Sequence, residues 1–487
     1  MTYTKKVAFN TASQMIGKAI VTAIALTSIG ILTRYLGVSG YGEYTTVFAY
    51  VAFLAVVADF GFFWILMRQA GALEDQAELN RLASNLLTLR TCLAVLIYFL
   101  GFGLGWLLSY PLTVKIGIGI VATAFLLQSI NSTLVGIFQI NFRIDKAVLA
   151  EIIGKLIILA GVIAARALGL SILVIFAVYI LGGGANLALN AFWARAYVKI
   201  RPAFEMTLWK KIFADAWPMG VLAILGLIYF KIDTIMLSLF KGASSADVGI
   251  YGAAYKIVEV LSALPLMFLA PTFPVIVKYL KAQDQQKLQN ALQKAFDFLL
   301  ILAVPVVIGV IMTAPKIIGV IGGGKFVEAT TISVGKYPIT ASTALQILVV
   351  AVGVTFFANL FGDLIVALGK QKYLILPNLF FASLNVGLNA LVIPRWSYLG
   401  TSITTVITET TVLVFTAFIF WRFLDLKPKL TLFPRIILAG LVMAGILYLL
   451  QPLNILILIV VGGLVYFALL FSLRVINRQT IKEVIGF

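Results

Sequence analysis

Ionisable residues stand inside long apolar runs of this chain: Lys18, Asp59, Arg90, Glu151, Lys155, Lys231, Asp233, Lys256, Glu259, Lys294, Asp297 and Glu409. A charge at the centre of a membrane helix costs about 3 kcal/mol, so such residues face a protein interior or a wet cavity rather than lipid. The cations suit an anion. Arginine makes paired hydrogen bonds to phosphate and stays charged at any relevant pH. Arg90, with Lys18 near the middle of the first run, is therefore a candidate ligand for a pyrophosphate; pairing of Arg90 with Asp59 or another helix is the alternative. Asp59 and Glu409 have no oppositely charged residue within four positions and are candidate proton or sodium sites, because burial raises a carboxylate pKa. Glu151 with Lys155, and Lys294 with Asp297, have the spacing of self-neutralising pairs on one helix face. Lys231 and Glu259 fall at matching depth on consecutive antiparallel runs, as do Asp233 and Lys256. That layer reads either as a static ion-pair clamp or as a gate responsive to protons or cations. The eighth run contains Pro265, Pro271 and Pro274, each without an N–H and each expected to bend or interrupt its helix.

The elements that must hold these residues follow from composition. Hydrophobic types make up 62% of the 487 residues and charged types 11%, where soluble proteins carry about 25%. Mean hydropathy is +1.06, so lipid is the solvent for most of the chain. Fourteen apolar runs, from 9–34 and 43–69 to 432–450 and 453–474, are continuous rather than alternating. They predict an all-α polytopic membrane protein and exclude a closed β-barrel. The net charge of +18 points to loop orientation rather than nucleic acid. With both termini cytoplasmic, 23 of the 37 Lys and Arg fall in cytoplasmic segments and 8 in external ones. The predicted organisation is a six-helix lobe at 1–194, a cytoplasmic amphipathic linker at 195–212, a second six-helix lobe at 213–422, and two further helices with a cytoplasmic tail at 423–487. Gly42-x-Tyr44 and Gly249-x-Tyr251 recur at the external start of the second helix of each half, which marks the lobes as parallel repeats.

No histidine is present and Cys92 is the only cysteine, so no Cys/His metal site can be assembled. Gly319 to Lys325 matches G-x-x-x-x-G-K, but Phe326 replaces the magnesium-binding hydroxyl of a phosphate loop, and the glycines read as a turn. No loop is long enough for a soluble catalytic or nucleotide-binding domain. The reading is a transporter rather than an enzyme, without cofactor.

An ordered set of motifs resembles the polysaccharide transporters of the MOP superfamily, which include O-antigen flippases and are related to the MATE drug exporters and lipid II flippases. The set opens with Arg34-x-Leu36-Gly37-x3-Tyr41-Gly42 and Asp59-x-Gly61. It continues with Asp233 to Leu237, Gly249-x-Tyr251-x2-Ala254-x-Lys256, Pro265 and Pro274, and the resemblance covers about residues 1–422. It implies two lobes around a central cavity and alternating access. It also implies an oligosaccharide on polyprenyl pyrophosphate as cargo, moved to the external leaflet of the cell membrane with proton or sodium coupling and other glycan-assembly proteins nearby. The Arg-Asp pair typical of lipid II flippases is absent, since Val38 follows Gly37, which weakens a peptidoglycan-precursor reading. A MATE-type drug or cation antiporter is the first rival and favours an acidic cavity over Lys18 and Arg90. A membrane glycan polymerase or ligase is the second and needs a large external loop.

Overall fold

Apolar segments without water to serve their backbone must satisfy it internally, and the computed structural model is helical throughout its apolar runs. It describes residues 3–70, 73, 75–240, 245–370, 372–424 and 426–476. Lys241, Arg478 and Lys482, and the side chains of Lys5, Lys6, Pro271 and Pro274, lie outside the described residues.

The helices are α1 (Tyr3–Asp59), α2 (Phe62–Ala70), α3 (Gln76–Leu107), α4 (Leu112–Ile140), α5 (Ile144–Ala167), α6 (Ile172–Ala194), α7 (Met206–Leu239) and α8 (Ser245–Leu261). They continue with α9 (Leu264–Lys281), α10 (Gln285–Gly322), α11 (Gly324–Glu328), α12 (Ala341–Ala367), α13 (Lys372–Phe423), α14 (Phe433–Leu449) and α15 (Ile455–Ser472). With 57 and 52 residues, α1 and α13 are far too long for one crossing of a hydrocarbon core about 30 Å thick. Each is broken once, at Gly37 (φ 68°) and at Ser397 (φ 42°). Counting two crossings for each, and one for α8 with α9, fourteen spans stand among the described residues when the short α2 and α11 are left out. The chain is a multi-pass membrane protein.

Chain packing forms two units, Met1–Gly249 and Ile250–Phe487. In the first, α4 packs on α6 and α3, α5 on α6 and α1, and α7 on α1, α2 and α3. The packing division thus falls after α7, because α7 buries Ile212 and Ala216 against Phe62, Ile65, Leu66, Leu82 and Leu86. In the second unit α12 packs along α13, α10 and α9. The last two helices close on α10 through Ile436, Met443, Leu458 and Tyr466, whose hydroxyl donates to the Ile301 carbonyl at 3.0 Å.

Three local features depart from or refine the sequence expectation. The run after residue 336 does not begin as helix: β1 (Ile332–Val334) pairs antiparallel with β2 (Tyr337–Ile339), and α12 starts only behind the Thr340 capping box. The break in the eighth span falls at Ser262–Ala263, directly ahead of Pro265, while the backbone is helical through positions 271 and 274. A proline in a first helical turn costs no intrahelical bond, which is why α9 can start there. Finally, Gly319–Phe326 forms the predicted turn: α10 stops at Gly323 (φ 72°), and Phe326 folds back onto Gly322.

The recurring glycine motifs touch each other. A Cβ on Gly42 would collide with the Ser245 carbonyl oxygen, and one on Gly249 with the Val38 carbonyl oxygen. In both motifs the tyrosine pairs with the ring four residues on: Tyr44 with Phe48 at 4.4 Å, Tyr251 with Tyr255 at 5.5 Å.

Candidate functional site

Asp59 is the last residue of α1. Phe60 (φ 45°) and Gly61 (φ 80°) then reverse the local winding before α2. Gly61 is required twice over, by its left-handed φ and by crowding: a Cβ there would lie 2.9 Å from Met219 Cβ and 3.2 Å from the Gly220 nitrogen of α7. The Phe60 ring stacks on Phe213 at 4.7 Å, and Asp215 of α7 accepts from Arg68 at 2.8 Å and Gln69 at 3.1 Å of α2. The break that presents Asp59 is thus clamped by α7.

Arg90 lies in the middle of α3, only 1% exposed, and forms an ion pair with Asp59. Its Nη1 donates to Thr133 Oγ1 of α4 at 3.0 Å. Of the two roles the sequence leaves open for Arg90, phosphate contact and pairing with Asp59, the geometry is the second. The Asp59 side chain is 37% exposed. The pair therefore has a buried cationic end and a partly exposed carboxylate end. A buried pair of this kind joins α1, α3 and α4, and removing one partner strands the other.

Lys18 is in a different environment. It is exposed on α1, beside Gly17, which packs against Val148 of α5. Among the described residues it forms no ion pair. The structure therefore does not give Lys18 and Arg90 a common setting.

The remaining charged candidates are mostly tucked in. Lys256 Nζ lies 2.8 Å from Glu259 Oε2 on the same helix, one turn apart. Asp233 and Glu409 are buried and Lys231 is half-buried. Asp297 accepts from Gln293 at 2.9 Å. Polar groups that the charge-based reading passed over also lie in the bundle. Asn190 donates to Asn131 at 2.8 Å and Asn186 at 2.9 Å, and Asn389 to Asn385 at 3.1 Å. Their signal was available as Asn at i and i+4 on apolar helices.

The segment after α6, expected as an amphipathic linker over 195–212, is instead an extended strap that ends where α7 begins. Every second amide along it is held by a side chain of α3. Lys199 N donates to Asn80 Oδ1 (2.9 Å), Arg201 N to Ser84 Oγ (3.1 Å), Ala203 N to Thr88 Oγ1 (3.1 Å) and Glu205 N to Asn85 Oδ1 (3.0 Å). Trp209 Nε1 also donates to Asn85 Oδ1 at 3.2 Å, and Gln76 Nε2 to the Tyr197 carbonyl at 2.8 Å. The Arg81 guanidinium grips the Glu205 carboxylate through both Nε and Nη2, which holds that carboxyl below the usual range. Small polar residues at 80, 84 and 88 repeat at four-residue spacing, so one stripe of α3 meets one edge of an extended chain.

The polysaccharide biosynthesis protein family model matches residues 4–280, more than half of the chain. The chain belongs to that family. Similar proteins include a probable flippase, AglR, of Haloferax volcanii, 22% identical over 265 residues covering 53% of each protein. The chain thus spans about half the length of that relative. A putative O-antigen transporter of Shigella flexneri is 24% identical over 384 residues, covering 74% of this chain and 85% of the relative. Among solved structures, the lipid II flippase MurJ in an inward closed conformation superposes with a TM-score of 0.76 at 15% identity, covering 96% of this chain and all of that one. An inward-facing MATE multidrug transporter of the MOP superfamily gives 0.65 at 16% identity, covering 83% and 94%. This family member therefore has the MOP fold, as the motif order from Arg34 to Lys256 implied.

Proposed function

We propose that this protein flips a polyprenyl-pyrophosphate-linked oligosaccharide from the cytoplasmic to the external leaflet of the cell membrane, by alternating access and coupled to a proton or sodium ion. The observation that carries the reading is Lys18. An ammonium exposed on an apolar helix, without an ion pair among the described residues, is tolerated at membrane depth only beside water or an anion. Names carried by two relatives, a flippase and an O-antigen transporter, support the cargo class. In this reading Lys18 contacts the pyrophosphate and Arg90 positions Asp59. The wet Asp59 carboxylate exchanges the coupling ion, while Lys231, Asp233, Lys256, Glu259 and Glu409 serve gating or coupling. The helix break ahead of Pro265 lets the eighth span bend.

Reconstitution into proteoliposomes with a fluorescent lipid-linked oligosaccharide tests this directly. The full chain should make the inner-leaflet label accessible to an external quencher or enzyme, and Lys18→Gln should slow that at least tenfold. Flipping no faster than in protein-free vesicles would overturn the reading; export of cationic dyes by the same vesicles would favour a MATE-type antiporter.

A further inference from the structure

The strap between α6 and α7 carries a surface that the transport reading does not use. Arg195, Lys199 and Arg201 of this segment, with Lys210 and Lys211 in the first turns of α7, are all exposed, and among the described residues none of them forms an ion pair. The acidic residues of the same stretch are already engaged: Glu205 by Arg81 and Asp215 by Arg68. The cations are therefore uncompensated. Beside them, Phe204 and Met206, the latter at the start of α7, expose 63% and 58% of their surface. The strap joins the end of α6 to the start of α7, two helices counted as spans, and so sits where hydrocarbon gives way to headgroups. Its backbone is pinned along one edge by Asn80, Ser84, Asn85 and Thr88, which leaves Lys199 and Arg201 projecting from a fixed scaffold.

Fixed cations flanked by exposed aromatic and thioether side chains at a membrane boundary match the chemistry of an anionic headgroup over an acyl chain. We propose that the strap is a binding site for anionic phospholipids of the leaflet it borders, the cations holding the headgroup phosphate and Phe204 with Met206 lying against the upper acyl carbons. The site is independent of the flippase reading, because it needs only the membrane and the strap's own geometry.

The strap is held through main-chain N–H groups, so Lys199→Gln with Arg201→Gln removes charge while leaving every amide bond to α3 in place. Binding of dioctanoyl phosphatidylglycerol to the full chain in detergent, against dioctanoyl phosphatidylcholine as reference, reads the effect. Each lost cation should weaken phosphatidylglycerol binding about fivefold, so the double variant should lose about twenty-five-fold, with phosphatidylcholine binding unchanged. Lys278→Gln with Lys281→Gln, an equal charge loss on exposed residues of α9, should change it little. An equal loss in both double variants would reduce the effect to net charge and overturn the site. Full phosphatidylglycerol binding by the strap variant would overturn it as well, and loss of a copurifying acidic protein in that variant would assign the surface to a protein partner instead.

Discussion

Two helices carry stripes of small polar residues and use them in opposite ways. On α3, Asn85 and Thr88 donate back to their own helix, to the Arg81 and Ser84 carbonyls, and accept from amides of the strap. Each group is used twice, and the second use binds another segment. On the second half of α13, Thr401, Ser402, Thr408 and Thr416 each donate to the carbonyl four residues earlier. Those hydroxyls are satisfied within one helix. A hydroxyl that bonds only its own helix makes membrane burial tolerable, whereas the α3 stripe binds a neighbouring extended segment. The difference teaches that polar content in a span is no measure of how much that span holds.

If α3 is the helix that ties its unit, its substitutions should cost most, and the charged tie most of all. Asp59→Ala leaves the nearly inaccessible Arg90 without a counterion and should destabilise by about 4 kcal/mol. Arg90→Met strands only a half-wet carboxylate and should cost about half as much. Thermal unfolding in detergent reads both, and the double variant should recover part of the loss; equal single costs would deny the asymmetry. Next comes Asn85→Ala, which deprives the Glu205 amide and the Trp209 indole of one shared acceptor. It should cost about 2 kcal/mol and raise hydrogen exchange at Glu205.

The Arg81–Glu205 grip supplies a smaller, pH-tuned effect. The Glu205 carboxyl is held below its usual value, chiefly by its hydrogen bond to Arg81. Its contribution to docking is therefore complete above about pH 4.5, the ordinary carboxylate range, and is lost as pH falls through the lowered value. Exchange of the strap amides should rise below about pH 4 in the native chain, and Arg81→Gln should abolish that pH dependence. The smallest effect belongs to the self-satisfied stripe. Thr408→Val should change unfolding by under about 0.5 kcal/mol; a cost matching that of Asn85→Ala would collapse the contrast between the two helices.

Much of this molecule is legible from its residues. Fourteen apolar runs correspond to fourteen spans because hydrocarbon length is a hard constraint. Gly37 and Gly61 mark breaks because a left-handed φ favours glycine, whereas the break at Ser397 is marked by the gap between the apolar runs 372–394 and 399–422 and by Pro394 just ahead of it. Asp59 could be named as a partner for Arg90, but Thr133 could not: nothing in its spacing distinguishes it from the many hydroxyls that bond only their own helix. The strap was hidden for a related reason. Its charges and tryptophan suggested an amphipathic linker, but the decisive atoms are backbone amides, which every sequence has, and their acceptors lie about 120 residues earlier. Strand β2 fell inside the apolar run that begins at residue 336 and so read as helix.

The mutual contact of Gly42 and Gly249 carries an evolutionary corollary. Neither position can grow a side chain without displacing main chain opposite. Homologues that bear alanine or serine at one should shift the facing main chain and keep glycine at the other. Size correlation between these two columns, about two hundred positions apart, would then record a shared spatial constraint that neither motif reveals alone.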